Sequence, residues 1–425
     1  MRNITLFLAY FILINIANAQ SNPYCASDKR FTDAPVFTDD EIDSDVGVSY
    51  GHATDYKGQD QNLILNVYYP RFSLDTFSLR PLIVLVHGGG FSGGSLNGLN
   101  KDCIEFARRG YVAATVEYRL GWHRASSPCD GDPMSMLQAF YRSLQDVHAA
   151  IRYLVANAAE YRIDTHWIFA GGSSAGAFTT VNLAFLQQAE IDAEYPVLRD
   201  SLGLINGSGN LLTDTFRLKG LFNNWGGVFN INNVNTSDAI PVIGFVGDHD
   251  PVIPIDTGYW QGCTNFPKMW GSRGLYDRLT ALGMCAELNV KEGGGHGVWD
   301  DTPAQDAFRI GRASCFFKSL FCNSCTTVAN QDSIPAACSP IADNNTETPV
   351  RALDVLVYPN PFSSELHVAT SEIDNMNFTL MNSVGQSVWT GENINNTDFS
   401  ALPAGIYFLK MNTDNGDKTE RLIKW

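Results

Sequence analysis

Two short segments of this chain carry residue types, in an order, that suit acyl-transfer chemistry. Gly172-Ser173-Ser174-Ala175-Gly176 follows the apolar run Trp167–Ala170, and His87-Gly88-Gly89-Gly90-Phe91 follows Leu82–Val86. A Gly-x-Ser-x-Gly turn between strand and helix lifts a serine hydroxyl out of the backbone, and an upstream His-Gly-Gly-Gly turn offers backbone N–H groups to an oxyanion. The pentapeptide alone is a weak signal, since a glycine-rich loop with a passenger serine reads the same. The preceding strand pattern, the helical pattern of Ala177–Leu186 and the second turn make it specific. Ser174, with glycine two residues away on both sides, is the expected nucleophile. Ser173 is the competitor, but its frame puts Ala175 where the turn is best served by glycine.

A serine hydroxyl is a weak nucleophile and needs a base within hydrogen-bond reach. In this type of site the chain order is Ser, then Asp or Glu, then His. His296, in Gly293-Gly294-Gly295-His296-Gly297, lies late and just after a strand pattern. His52, His87, His123, His148 and His166 precede the serine, His249 adjoins the expected acid, and His367 lies near the C-terminus. The acid is expected in Gly247-Asp248-His249-Asp250-Pro251, where Asp250 orients the base and Asp248 braces the turn through backbone N–H groups. Backbone N–H groups of Gly89, Gly90 and Ala175 are the expected oxyanion donors, and His87 holds their turn. Trp122, Trp225, Trp260, Phe91 and Phe178 could line a substrate pocket, although aromatic residues are more often core.

These residues need elements to position them. Strand-like runs occur at Leu63–Tyr69, Leu82–Val86, Tyr111–Tyr118, Trp167–Ala170, Leu218–Asn223, Val242–Val246 and Ala286–Lys291. Helical patterns lie between them at Asp102–Arg109, Met136–Ala159, Ala175–Ala189, Ser272–Leu282 and Thr302–Leu320. Such alternation predicts an α/β fold, a mostly parallel sheet flanked by helices, with chemistry at the carboxyl ends of the strands. Asp146, within a run of apolar residues at helical spacing, reads as part of a core-packing helix.

The chain has 425 residues, with 29 Lys and Arg against 45 Asp and Glu, a formal charge of −16. That balance argues against nucleic acid or an anionic membrane surface as partner. Residues 1–19 read as a signal peptide: Arg2, the apolar stretch Leu6–Ile16, then Ala17-Asn18-Ala19, with maturation at Gln20. The apolar run is too short to span a bilayer, so no stable membrane insertion is expected. Nine cysteines in an exported chain read as disulfides with at least one thiol left over. Cys322-x-x-Cys325 is read as structural bridging, because no second Cys or His pair stands at zinc spacing. Cys263 is expected to pair with Cys285 across one helix.

Residues 20–325 form the expected catalytic domain, and 326–350 read as a polar linker. Residues 351–425 show short alternating runs between Asn, Gly, Ser and Asp turns, which predicts a small all-β sandwich.

Together, His87-Gly-Gly-Gly-Phe91, Glu117-Tyr-Arg-Leu-Gly121, Asp146-x-x-Ala-Ala-Ile-Arg-Tyr-Leu154, Tyr161-Arg-Ile-Asp164, Gly172-Ser-Ser-Ala-Gly176, Gly247-Asp-His-Asp250 and Gly295-His-Gly297 resemble the serine carboxylesterases of the α/β-hydrolase fold. The likeness covers about residues 45–320. It is strongest to the branch shared by hormone-sensitive-lipase-like esterases and secreted acetyl- or feruloyl-esterase-like enzymes. The chain lacks the long N-terminal cap helix of the former, and residues 190–217 could be a small lid. The resemblance implies ester hydrolysis by Ser174, His296 and Asp250 with no metal or organic cofactor. A serine peptidase and a non-catalytic carbohydrate-binding or adhesion protein are the alternatives. The tail resembles the C-terminal sorting domain of the type IX secretion system through Val357-Tyr-Pro-Asn-Pro-Phe362, Met381-Asn-Ser-Val-Gly-Gln386, Leu402-Pro-Ala-Gly-Ile-Tyr-Phe408 and Arg421-Leu-Ile-Lys-Trp425. It implies the type IX machinery as partner, with export through the periplasm of a Gram-negative bacterium to the surface or beyond.

Overall fold

The computed structural model describes residues 22–26, 29–338 and 356–424, apart from 359, 361, 370–375, 384 and 414–415. The expected signal peptide and Gln20 lie outside the described residues. The chain divides into two compact units, Met1–Ile341 and Ala342–Trp425.

The first unit is built on one nine-stranded sheet. Its strands are β1 (Ile42–Thr54), β2 (Asp60–Pro70), β3 (Arg80–Val86), β4 (Val112–Val116), β5 (Ile163–Ser173), β6 (Leu218–Asn224), β7 (Val242–Gly247), β8 (Ala286–Lys291) and β9 (Val328–Gln331). The spatial order is β1-β2-β4-β3-β5-β6-β7-β8-β9. β1 and β2 pair antiparallel, as do β2 and β4, and every later pairing is parallel. Every residue of β3, β4 and β7 is buried, which is why these strands read as unbroken apolar runs. The main helices are α1 (Asn100–Arg108), α2 (Pro133–Ala156), α3 (Ala175–Phe185), α4 (Ser272–Ala281) and α5 (Pro303–Phe321). Two apolar cores lie against the sheet: one includes α2 and α3 residues such as Leu144 and Val181, the other α1 and α5 residues such as Phe106 and Phe317. This is the α/β-hydrolase arrangement.

Some expectations need correction. β1 is absent from the sequence reading because its residues are mostly exposed or half-buried and mostly polar. The first part of the expected linker is not linker. Val328–Gln331 adds β9 to the sheet edge beside β8, and Cys338 is bonded to Cys315. Its polar composition suits an edge strand of which two residues are exposed. Residues 190–217 are no lid over the site. Gln145 donates to the carbonyls of Leu202 and Leu204, and Asn210 donates to those of Tyr50 and Ala149, so the segment packs along α2 and β1.

Cys263 does not pair with Cys285. The disulfides are Cys25–Cys322, Cys129–Cys263, Cys285–Cys325 and Cys315–Cys338, and Cys103 is a buried free thiol. The ten-residue helix α4 separates the two residues. Cys263 belongs to the first of the two apolar cores whereas Cys285 packs against the second, so each meets a different partner. Cys322 and Cys325 join different partners, as structural bridging requires.

In the second unit, Asn377–Asn382, Ser387–Gly391, Gly405–Thr413 and Gly416–Lys424 form a four-stranded antiparallel sheet, and Leu356–Tyr358 pairs with His367–Ala369. Phe362, Val368, Phe378, Leu380 and Leu409 share one buried core between the two sheets. The expected small β-sandwich is what forms.

Candidate active site

Ser174 sits between the end of β5 and the start of α3, with φ 53° and ψ −119°. A non-glycine residue with positive φ at a sharp strand-to-helix turn stores strain, and it persists only where neighbours over-determine it. Here they do. A Cβ at Gly172 or Gly176 would run into the Val86 carbonyl oxygen of the neighbouring strand, so only glycines let the turn pack this tightly. The Ser174 N–H donates to the Asn224 carbonyl at 3.0 Å, tying the turn to β6. Ser173 closes β5, in register with Asn224.

His296 Nε2 lies 2.8 Å from Ser174 Oγ, and its Nδ1 lies 2.7 Å from Asp250 Oδ2. The Asp250 side chain is fully buried, and that of His296 is 22% exposed. Two loops bring them together. The Asp248 N–H donates to the Lys291 carbonyl, and the His249 N–H donates to that of Gly294, so the turn after β7 is stitched to the loop after β8. The other oxygen of Asp250 accepts the N–H groups of Val252 and Ile253 at 2.8 and 3.0 Å. Asp250 thus makes the turn-bracing bonds expected of Asp248 while also facing the base. Asp248 pairs at the surface with His249 and also accepts the Gly293 backbone N–H, and these bonds, that to His249 first, hold its carboxyl below the usual carboxylate range. The Trp225 ring stands edge-on to His296, with centroids 6.2 Å apart.

Gly89, Gly90 and Phe91 all have positive φ, at 117°, 58° and 58°. His87 Nδ1 bonds the Gly88 carbonyl at 2.7 Å, and the Gly89 carbonyl accepts the N–H groups of Ser92 and Gly93. A trans peptide sets each N–H opposite the preceding carbonyl. Anchoring these carbonyls therefore turns the N–H groups of Gly89 and Gly90 the other way. Trp122 Nε1 donates to the Gly90 carbonyl at 2.9 Å and holds the turn from above. Ala175 is the first residue of α3, where a helix leaves its amides unpaired and partly positive. Among the described residues, none of these three N–H groups donates to a protein acceptor. His87 is buried and stacked on Tyr118, consistent with a structural part.

A cleft of about 400 Å³, counting its open mouth, runs from Ser174. Gly90, Phe91, Trp122, Met136, Ala175, Phe178, Phe229, Ile253, Trp260 and Met269 line it, so Ser174 has the only hydroxyl and no charge faces in. Four of the five aromatics singled out in the sequence are there; Trp225 instead backs His296. Gly89 is not among the lining residues. Met136, Phe229, Ile253 and Met269 gave no signal in the sequence, because they come from separate segments and their apolar character is indistinguishable from core. Asp146 is completely buried and bonds Arg119 through both its backbone N–H and its guanidinium, tying α2 to the segment after β4. Breaking such a pair on one side costs about 3–5 kcal/mol, which makes it scaffold with a polar centre.

Residues 65–203 match the protein-family model described as BD-FAE, and residues 356–425 match that of the secretion system C-terminal sorting domain. Among curated proteins, the chain is 29% identical over 141 residues to esterase E4 of Myzus persicae, covering 32% of this chain and 24% of that one. It is 34% identical over 126 residues to phenmedipham hydrolase of Pseudarthrobacter oxydans, covering 29% and 23%. It is 32% identical over 115 residues to neuroligin-like protein glit-1 of Caenorhabditis elegans, covering 27% and 15%. The chain thus spans at most about a quarter of the length of these relatives. Among solved structures, a truncated carbohydrate esterase from gut microbiota aligns with TM-score 0.44 and 18% identity, over 68% of this chain and all of that one. Esterase 2 of Thermogutta terrifontis with bound propionate aligns with TM-score 0.44 and 19% identity, over 69% and 98%.

The sheet order and its flanking helices define an α/β-hydrolase domain, of which residues 65–203 match the BD-FAE model. It is followed in this chain by a secretion-system sorting domain, which marks the protein for type IX export to the cell surface or outside. No helix among the described residues is long and apolar enough to cross a membrane.

Proposed function

We propose that the protein is an exported serine carboxylic-ester hydrolase. The observation that carries this reading is the unbroken Ser174–His296–Asp250 hydrogen-bond chain, set beside backbone N–H groups without protein acceptors. Ser174 Oγ attacks the ester carbonyl while His296 Nε2 takes its proton. Asp250 keeps the other ring nitrogen protonated and stabilises the imidazolium. The N–H groups of Gly89, Gly90 and Ala175 receive the oxyanion, and each such donor is worth about 3 kcal/mol in the transition state. The His296 proton goes to the leaving alcohol, an acyl-enzyme remains on Ser174, and water activated by His296 releases the acid. These steps need no metal or organic cofactor.

Residues 1–19 act as the export signal in this reading and are removed before secretion. The apolar cleft offers no charged group to a peptide terminus, which favours an ester over a peptide substrate. A purely binding role would leave the strained serine without purpose. The test is hydrolysis of p-nitrophenyl butyrate together with stoichiometric labelling by a p-nitrophenyl phosphonate. The expected result is turnover, and label on Ser174 by peptide mapping. An unlabelled, inactive but folded protein would refute the proposal and leave the binding alternative.

A further inference from the structure

One wall of the cleft is built outside the main sheet and its helices. Trp122 belongs to the segment between β4 and α2; Trp260 belongs to the excursion between β7 and α4. Their rings meet edge-on at 5.7 Å, and both touch Phe266, at 5.9 and 5.0 Å. Trp122 and Phe266 are buried although residues 123–130 around the first segment are all exposed. Cys129–Cys263 joins the two segments across a sequence separation of 134. Among the described residues, a single hydrogen bond crosses between them, from Asn265 Nδ2 to the Cys129 carbonyl at 2.8 Å. One covalent link, one hydrogen bond and two ring contacts therefore join the two halves of the wall.

We infer that the Cys129–Cys263 bridge is a specificity-determining element that clamps the Trp122–Trp260 wall and limits the cleft to compact, uncharged, apolar acyl groups. This rests on the esterase reading above. Beyond Ser174 and the N–H groups that take up the ester carbonyl, the lining side chains are apolar, and burying a polar acyl group unpaired among them would cost several kcal/mol in the worst case. With the clamp shut, an acyl chain that outgrows the cleft must displace Trp260. With the clamp open, the exposed segment can swing and the wall recedes. Trp122 also holds the Gly90 carbonyl. Opening the clamp therefore loosens the oxyanion turn, and turnover of small esters falls as the acyl range widens.

The experiment compares kcat/KM for p-nitrophenyl octanoate and p-nitrophenyl acetate in the full chain. The variants are Cys129→Ser with Cys263→Ser, and separately Trp260→Ala. Wild-type protein under mild thiol reduction, with alkylation mapped by mass spectrometry, is the second route. Cys129 is exposed whereas the cysteines of the other three bridges are half-buried or buried, so this bridge is the expected first to open. The octanoate-to-acetate ratio is expected to rise at least about tenfold in the opened protein and in Trp260→Ala. A bridge that serves stability alone would lower the melting temperature and leave the ratio unchanged, which would overturn the inference. An unchanged ratio in Trp260→Ala would overturn it too, even if the double variant failed to fold. Wild-type protein inactive on both esters would sink the esterase reading along with it, whereas an active enzyme with an immovable ratio sinks only the clamp.

Discussion

Asp250→Asn should cost on the order of ten-thousandfold in kcat, or about 5 kcal/mol of transition-state stabilisation, and the structure says why the amide cannot adapt. One oxygen of Asp250 accepts two backbone N–H groups, from Val252 and Ile253, and the other faces His296 Nδ1. In asparagine only one of the two terminal atoms can accept. The two N–H donors claim that oxygen, because turning the NH₂ toward them in a fully buried site would leave donors facing donors. The NH₂ must then point at His296 Nδ1, which becomes the acceptor and moves the ring proton to Nε2. That tautomer cannot take the proton of Ser174. Asp248→Asn touches the surface pair with His249, whose side chain is 74% exposed, and a backbone bond to Gly293, both of which an amide oxygen can keep, and should leave activity within about threefold. The assay is kcat on p-nitrophenyl butyrate at neutral pH, with circular dichroism to verify folding. Asp250→Asn within tenfold of wild type, or Asp248→Asn as the more damaging change, would refute the assignment of the acid.

Three further outcomes follow from other parts of the molecule. Ser174→Ala should lose at least about a thousandfold in kcat while Ser173→Ala keeps much of it, since only Ser174 lies within reach of His296; kinetics of the two variants on one ester decide it. A chain from Gln20 to Ala342 should fold and act on soluble esters, because both large cores consist of residues before 342. In a host with type IX secretion the same chain should stay in the periplasm, and cell-fraction esterase assays with and without the tail test this. Burial pushes the Asp102 carboxyl up to about 7, against the opposing pull of Arg309. The folded protein then holds that proton up to about pH 7, while the unfolded chain releases it near pH 4, so stability falls as pH rises across that window. Asp102→Asn should flatten the decline in melting temperature between about pH 4 and pH 7, and an unaltered slope would count against it.

Local chemistry made much of this protein legible from the chain alone. The glycines around Ser174 and His87 carry their meaning in sequence, because a strained turn and a close backbone approach restrict the residue type at each position. The buried parallel strands are equally plain, since burial on both faces demands continuous apolar runs such as Leu82–Val86. Polar edge elements were not legible. Ile42–Thr54 and Val328–Gln331 have the composition of loops, and only pairing with β2 and β8 makes them strands. Cysteine pairing was beyond reach for a related reason: which sulfurs meet depends on tertiary packing, and Cys263 and Cys285 pack into different cores. The parts played by Asp248 and Asp250 were likewise open until two loops met, for the Asp250 carboxylate both braces the turn and faces His296. The cleft shows the limit most clearly. Its walls come from α2, α3 and four connecting segments, and a buried methionine or phenylalanine looks the same in sequence whether it fills a core or borders a cavity. Only the packing of the whole chain decides where space is left.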